Sequence, residues 1–364
     1  MHHLYLSAYN KLSQLKALPV CKVAAGFDGF IDIISRPILS VSNDTKEYFP
    51  TISSFGKYIT GKSSMSCSIE IDTIDKRIGG NMPNFISSLS SLGISCDCIG
   101  AFGYPDINNI FNSLGNNVFI KSVAEIGKCN ALEFNDGKLF LADNNDLNKL
   151  DYKLLIERAG FDYIKEWITC SDMLALFNWS ELPGISSVWR GLLDDILPHV
   201  LFENKKYMLI DISDCSKRPP AEIRQMGEML NEFGKYYDVM LSLNLNELLC
   251  VNNAIGGTSK KAEEAGCNVY KSIKPCTLSV HLTDGVLLYE NNDCMYVPTK
   301  KITSPKISTG GGDNFNAGLA FALICGLNYP ESAAVANAES SFYVAHGRCA
   351  SYDELLIYIK NMDI

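Results

Sequence analysis

The stretch Ser308-Thr309-Gly310-Gly311-Gly312-Asp313-Asn314-Phe315-Asn316-Ala317-Gly318 sets three glycines directly ahead of an acid. Glycine has no Cβ, so these amides can turn toward a ligand and approach it closely. Phe315, Leu319, Ala322 and Leu323 follow at i, i+4, i+7 and i+8, which predicts a helix with one buried face. Gly326 supplies its stop, and Pro330 lies just beyond. A glycine turn opening a helix is an anion site, because free N–H groups and the positive end of the dipole point the same way. Asp313 beside it can take a proton from an attacking hydroxyl, as phosphoryl transfer to an alcohol requires. The dipole alone would lower its pKa, so Asp313 is expected to be ionised and weakly basic. Plain helix capping by Asp313 is the alternative. Three glycines exceed what a cap needs and cost unfolded-state entropy.

Other polar groups have the same double character. Asp28 and Asp32, after a short strand ending at Gly26, can accept hydrogen bonds from a polyol, or be solvated loop acids. Gly79-Gly80-Asn81-x-x-Asn84 can pass close to a ligand, or simply enter a helix. Asn244 and Glu247, three apart, can hold the water shell of Mg²⁺, or cap a helix. Arg218 can meet an acidic sugar or project into solvent. Phe27, Phe30 and Trp179 can form a slot for a base, or belong to the core.

These residues need a frame. Strands are predicted at Lys22 to Ala25, Ser66 to Ile74, Ser95 to Gly100, Val118 to Val123 and Cys129 to Phe134. The last leads through Asn135-Asp136-Gly137-Lys138 into Leu139 to Ala142, a hairpin with an Asp-Gly turn. The middle alternates. Helices around 153–168, 186–197, 221–236 and 257–265 precede strands 173–177, 207–211, 239–243 and 277–282. That pattern gives a parallel sheet with helices on both faces, and ligands bind beyond its strand C-termini. Asp28, Asp32, Asn178, Asp211, Asn244 and Asp284 all fall there. The core is expected from 1–32, 76–119 and 143–364. The irregular segments 33–75 and 120–142 are expected to form an inserted β-rich lid.

The 364 residues are 47% hydrophobic and 20% charged, with a formal net charge of −9. This describes a globular protein with a sizeable core and argues against nucleic acid or an anionic membrane as partner. The 13 cysteines form no metal-type pair and are expected to be reduced, mostly buried thiols of a cytoplasmic protein. No secretory leader or spanning segment is read.

In order and spacing these pieces resemble the ribokinase-like, or PfkB-type, carbohydrate kinases, over about residues 20 to 360. Thr309 to Gly318 is similar to the family's glycine-rich signature, which makes Asp313 the catalytic base and Gly310, Gly311 and Gly312 the anion hole. Gly79, Gly80, Asn81 and Asn84, with Leu89, Leu92 and Gly93, resemble the N-terminal signature. Asn244 and Glu247 match the N-x-x-E motif that supports Mg²⁺ through water. Asp32, with Asp28 competing, resembles the acid that binds substrate hydroxyls, and Asn178 joins that set. Thr283, Asp284, Gly285, Thr309, Asn244 and Asn337 would face the nucleotide.

The resemblance implies a three-layer α/β/α sandwich with a mostly parallel sheet and a small β-rich lid. It also implies ATP- and Mg²⁺-dependent phosphorylation of a small sugar or sugar acid. A nucleoside kinase and a non-catalytic sugar- or nucleotide-binding relative are the other readings. Relatives often pair through the lid, so a homodimer is an open expectation. Ile307 stands where the family usually has an acid of a monovalent-cation site, which puts K⁺ activation in question.

Overall fold

Along Lys22–Phe27 and Met173–Phe177, side chains alternate between two cores. Val23, Ala25, Met173 and Ala175 enter one, while Ala24, Leu174 and Leu176 enter the other. A strand buried on both faces reads as a continuous apolar run, which is why these segments lack polar alternation. They belong to a nine-stranded sheet in a computed structural model that describes residues 2–43, 45–144, 146–307 and 309–362. The spatial order is Asp293–Pro298, Gly285–Glu290, Thr277–His281, Tyr237–Asn244, Lys206–Asp211, Met173–Phe177, Lys22–Phe27, Ser95–Gly100 and Val118–Ser122. The seven from Thr277–His281 onward are parallel, and the first two form an antiparallel edge.

Helices cover both faces, giving the α/β/α layering. One core packs Leu155, Ile164, Trp189, Ile223, Leu248 and Val269 against the sheet. The other packs Tyr5, Phe85, Leu319, Phe321, Ala334 and Leu355. The helix Gly311–Ile324 is buried on almost every side, with only Gly312 and Ile324 partly open. One apolar face was expected. The difference arises because Tyr329–His346 packs so closely that a Cβ at Gly318 would lie 2.8 Å from the Ala336 Cα.

Phe30–Ser42 organises a second, five-stranded sheet. It pairs antiparallel with Ile71–Gly79 and parallel with Gly127–Phe134, and Thr45–Tyr48 and Gly137–Asp143 complete it. The helix Ile52–Thr60 seals its hairpin end, with Phe55 and Tyr58 each 5.2 Å from the Phe49 ring. Residues 35–61 had shown no period. The helix Ile52–Thr60 does set Ile52, Phe55 and Ile59 at i, i+3 and i+7, a spacing submerged in the polar, turn-rich residues around its nine positions. Residues 120–122 belong to the large sheet, whereas Phe30 to Asp32 and Lys76 to Gly79 belong to the small one.

Local signals moved other boundaries. The helix expected over 153–168 is two, Tyr152–Ala159 and Phe161–Thr169, broken where Gly160 takes φ +90°. The helix expected over 257–265 is Ala262–Ile273, preceded by Leu245–Ala254, with Gly256 at φ +89° between them. Among the described residues no helix is long and apolar enough to cross a membrane. All thirteen cysteines are free. Four are buried (Cys96, Cys98, Cys129 and Cys215) and four are exposed (Cys67, Cys170, Cys276 and Cys294), so the expected mostly buried set is not found.

Candidate active site

Gly310 opens the buried helix at φ +91° and ψ 0°, a left-handed conformation that favours glycine. A Cβ there would sit 2.9 Å from the Tyr343 hydroxyl. The first closing bond of the helix runs from Asn314 N–H to Gly310 C=O at 3.1 Å. The amides of Gly311, Gly312 and Asp313 precede that bond and have no intrahelical acceptor. Ser308 lies outside the described residues, and the Thr309 carbonyl accepts the Tyr343 hydroxyl at 3.2 Å.

Asp313 is buried in the same first turn. Its Oδ1 accepts from Asn81 Nδ2 at 2.9 Å and its Oδ2 from Asn84 Nδ2 at 3.0 Å. Those asparagines stand on the helix Asn81–Ser91, entered through Gly80 at φ +96°. Asp28 holds this entry. Its carboxylate accepts the Asn81 and Met82 amides at 2.8 and 2.9 Å and Asn178 Nδ2 at 3.2 Å. Asp28 and Asn178 are both buried, so the structure makes them a brace for the turn and not the open substrate contacts expected for them.

Asp32 is the better placed acid. It lies half-buried in the small sheet, in register with Arg77 and Cys129. Gly79 is there because any Cβ would overlap the Asp32 carboxylate. Burial raises the Asp32 pKa, opposed by Arg77 and Lys138.

The electrostatics reverse the expectation for Asp313. Burial pushes its carboxyl well above the usual range, and Asp211 and Asp28 add to this against the two asparagine donors. A helix terminus contributes less than desolvation combined with like charges. Asp211 is pushed up to about 6 by burial, while accepting Ser213 N–H at 2.9 Å and Asn316 Nδ2 at 2.7 Å. Glu247 is pushed up to about 8 by burial and then by Asp211.

Asn244 and Glu247 form a reciprocal capping box, with Glu247 accepting Asn244 N–H at 2.9 Å and Asn244 Nδ2 at 2.6 Å. Capping and cation support are compatible, since the box holds the carboxylate beside Asp211 and Asp313. Among the described residues no cluster of three groups is spaced to bind a metal directly. Asp211 raises the pKa of both Glu247 and Asp313, a concentration of negative charge that fits a divalent cation held through water.

The sign of the pH effect on stability follows. Asp28 at about 6, Asp211 at about 6 and Glu247 at about 8 all titrate above their unfolded values. Protonation therefore favours the native state, and stability declines as pH rises through these values. Thermal melts should show Tm falling between about pH 4 and pH 8, from the unfolded carboxylate values up to the raised native ones, with Mg²⁺ reducing the loss. A Tm that rises across that window contradicts the electrostatic picture.

A cavity of about 540 Å³ adjoins Gly311 and Gly312. Leu282, Ile302 and Phe315 give it an apolar wall, and Thr283, Asn337 and Ser341 a polar one. The size and mixed lining suit a nucleoside. Thr283 and Asn337 both line this cavity, although Asn337 spends its amide on the Val297 carbonyl at 3.0 Å and the Tyr5 hydroxyl. Asp284 and Gly285 do not line it. They form the tight hairpin between Thr277–His281 and Gly285–Glu290, with the Asp284 carbonyl accepting Thr299 N–H at 2.9 Å.

Arg218 is largely buried and pairs with Glu222 at 2.9 Å. It donates to the carbonyls of Trp179, Ser180 and Leu182 and packs over the Trp179 ring. Trp179, Phe27 and Phe30 are core.

Asp211 was legible only as a strand end. Its partner Asn316, one turn beyond Asp313, carried the signal that both face the site. His281, whose ring lies 5.3 Å from Phe315 at the edge of Gly312, carried no signal beyond its position.

The family model of prokaryotic ketohexokinases matches residues 10–362. A ketohexokinase from Haloferax volcanii is 27% identical over 338 residues, covering 92% of this chain and 89% of its own. The fold is similar to Arabidopsis thaliana ribokinase complexed with ribose and ATP, with TM-score 0.64, 18% identity, and coverage of 94% of this chain and 99% of that one. It is also similar to a putative ribokinase II from E. coli in complex with ATP and Mg²⁺, with TM-score 0.63, 13% identity, and coverage of 93% and 99%. A glycine turn with unclaimed amides, an asparagine-held acid and a match over nearly the whole length agree: the chain belongs to the prokaryotic ketohexokinase family, carbohydrate kinases of ribokinase-like fold that phosphorylate a sugar hydroxyl.

Proposed function

We propose that the protein transfers the γ-phosphoryl group of ATP to a hydroxyl of a ketohexose, with Asp313 as the base. The observation that carries this is the placement of the Asp313 carboxylate. Two asparagine amides fasten it in the same turn that presents three unclaimed backbone N–H groups. Asp32 holds sugar hydroxyls from the small sheet, which acts as a lid over the acceptor. Asn81 and Asn84 fix the orientation of Asp313, so the substrate hydroxyl is aligned before proton transfer. Its raised pKa makes Asp313 a stronger base than a solvated carboxylate. The Gly311, Gly312 and Asp313 amides receive negative charge on the transferring group. Mg²⁺, supported through water by Glu247 and Asn244, would neutralise nucleotide phosphate charge.

The names of the related ketohexokinase and of the ATP-bound structures support the sugar and the donor. Asp32 is the acid on the small-sheet side of the site, whereas Asp211, Glu247 and Asp313 cluster on the other side. The most direct test of the acceptor assignment is Asp32→Ala. It should raise KM for fructose about tenfold or more with KM for ATP unchanged, since a hydrogen bond to a charged group contributes roughly 1.5–3 kcal/mol. An unchanged fructose KM removes Asp32 from the site. Glu247→Gln should raise the Mg²⁺ concentration giving half-maximal rate by about tenfold, read by titrating Mg²⁺ at fixed ATP.

A further inference from the structure

A second cavity, of about 730 Å³, shares no lining residue with the nucleoside-sized one and reaches Asn314 in the first turn of the helix Gly311–Ile324. Asn84 and Asn314 form its inner end, so it touches both the donor to Asp313 and the residue that closes the first helical turn. Asn314 is fully buried, and its Oδ1 has no partner. Tyr343, whose hydroxyl holds the Thr309 carbonyl, forms one wall.

The cavity is chemically two-ended. Lys76 and Arg77, adjacent at the end of the strand Ile71–Gly79, supply positive charge. Among the described residues Lys76 has no ion pair, whereas Arg348, also on the lining, is held by Glu354 and Arg77 stands across the sheet from Asp32, whose carboxylate it favours. Along the helix Asn81–Ser91 the lining turns to hydroxyls, those of Ser87, Ser90 and Ser91. Two cationic side chains match a phosphate dianion, and a row of hydroxyls matches the hydroxyls of a sugar. In a protein of net charge −9, Lys76 and Arg77 side by side on one cavity are a local concentration of positive charge, of which only Arg77 faces an acid, Asp32.

We propose that this cavity is an inhibitory site for a sugar phosphate monoester. The site is additional to the reaction above, and the sign of its effect rests on Asp313 acting as the base. A dianion beside Asn84 competes for the amide that donates to Asp313 Oδ2, and its negative field favours the protonated carboxyl. A protonated Asp313 cannot accept the hydroxyl proton, so turnover falls while acceptor and nucleotide remain bound. The class of product made by this enzyme therefore lowers its rate from a place outside the acceptor pocket.

The test uses the full chain with fructose and MgATP both saturating, and adds fructose 1-phosphate, fructose 6-phosphate or inorganic phosphate. At least one fructose phosphate should lower kcat without being displaced by more fructose, and inorganic phosphate should act more weakly. Lys76→Glu and Ser91→Glu each place a carboxylate at the exposed rim and should raise the inhibition constant about tenfold, with uninhibited kcat and both KM values within twofold. Inhibition purely competitive with fructose, or equal inhibition in both variants, overturns the site. Inorganic phosphate matching the sugar phosphates overturns the sugar-phosphate assignment. Calorimetric titration of Asp313→Asn in saturating fructose separates the two proposals. Sugar phosphate should still bind there, and Lys76→Glu in that background should abolish the heat. Absence of binding in Asp313→Asn, with the protein folded, contradicts the site whatever the role of Asp313.

Discussion

Asp313→Asn should lower kcat by about 10²-fold or more while KM for sugar and nucleotide changes little. Asparagine keeps the size of the group and can still meet one of the two amides at 2.9 and 3.0 Å, so the local packing should persist. It removes only the ability to accept a proton. A second consequence concerns the acid limb of the pH profile. The Asp313 carboxyl is held above the ordinary carboxylate range by burial and by Asp211. The base must be ionised to act, so kcat should fall as pH is lowered through that raised value, earlier than for a solvated Asp. Removing one like charge with Asp211→Asn should move the limb to lower pH. A profile that stays fixed in Asp211→Asn, or near-normal turnover in Asp313→Asn, removes Asp313 from its role.

Gly310→Ala should cost about 10²-fold in kcat/KM for nucleotide, comparable to losing one preorganised donor from an anion site. The added methyl meets the Tyr343 hydroxyl at 2.9 Å, and the left-handed φ of +91° becomes strained. The turn must shift, and the Gly311 and Gly312 amides shift with it. Stability should fall far less than activity, because the helix beyond is held by its own burial. Gly311→Ala is the control. Its Cβ would meet Val344 at 3.4 Å, close to ordinary contact, and φ there is not left-handed, so the loss should be several-fold smaller. Equal losses in both variants would mean that the turn geometry is not what matters.

The fold was readable where local chemistry and tertiary context agree. Apolar runs such as Met173 to Phe177 signal strands buried on both faces, and the alternation of such runs with helices gave the layered sheet. It was unreadable where context overrides pattern. The strand Phe30–Ser42 spans thirteen residues, but only its first half is largely buried, so no single period runs through it. Gly311–Ile324 gave a correct helix with the wrong surroundings, since a sequence cannot show how many partners cover it.

At the site, residue types predicted the parts and geometry sorted them. Asp28 and Asp32 were equivalent in sequence, and only the bonds to Asn81 and Met82 show which one braces the turn. The Asp313 pKa was misjudged because a helix terminus is visible in sequence, whereas burial beside Asp211, a hundred residues away, is not.

The central claim is phosphoryl transfer from ATP to a ketohexose, and the most direct measurement is acceptor-dependent ADP formation with MgATP, followed by ³¹P NMR of the products. Fructose should give ADP and a new sugar phosphate monoester in equal amounts, with adenosine and other nucleosides giving neither. ADP formed only with a nucleoside, or no ADP with any acceptor despite thermal stabilisation by fructose and ATP, would contradict it.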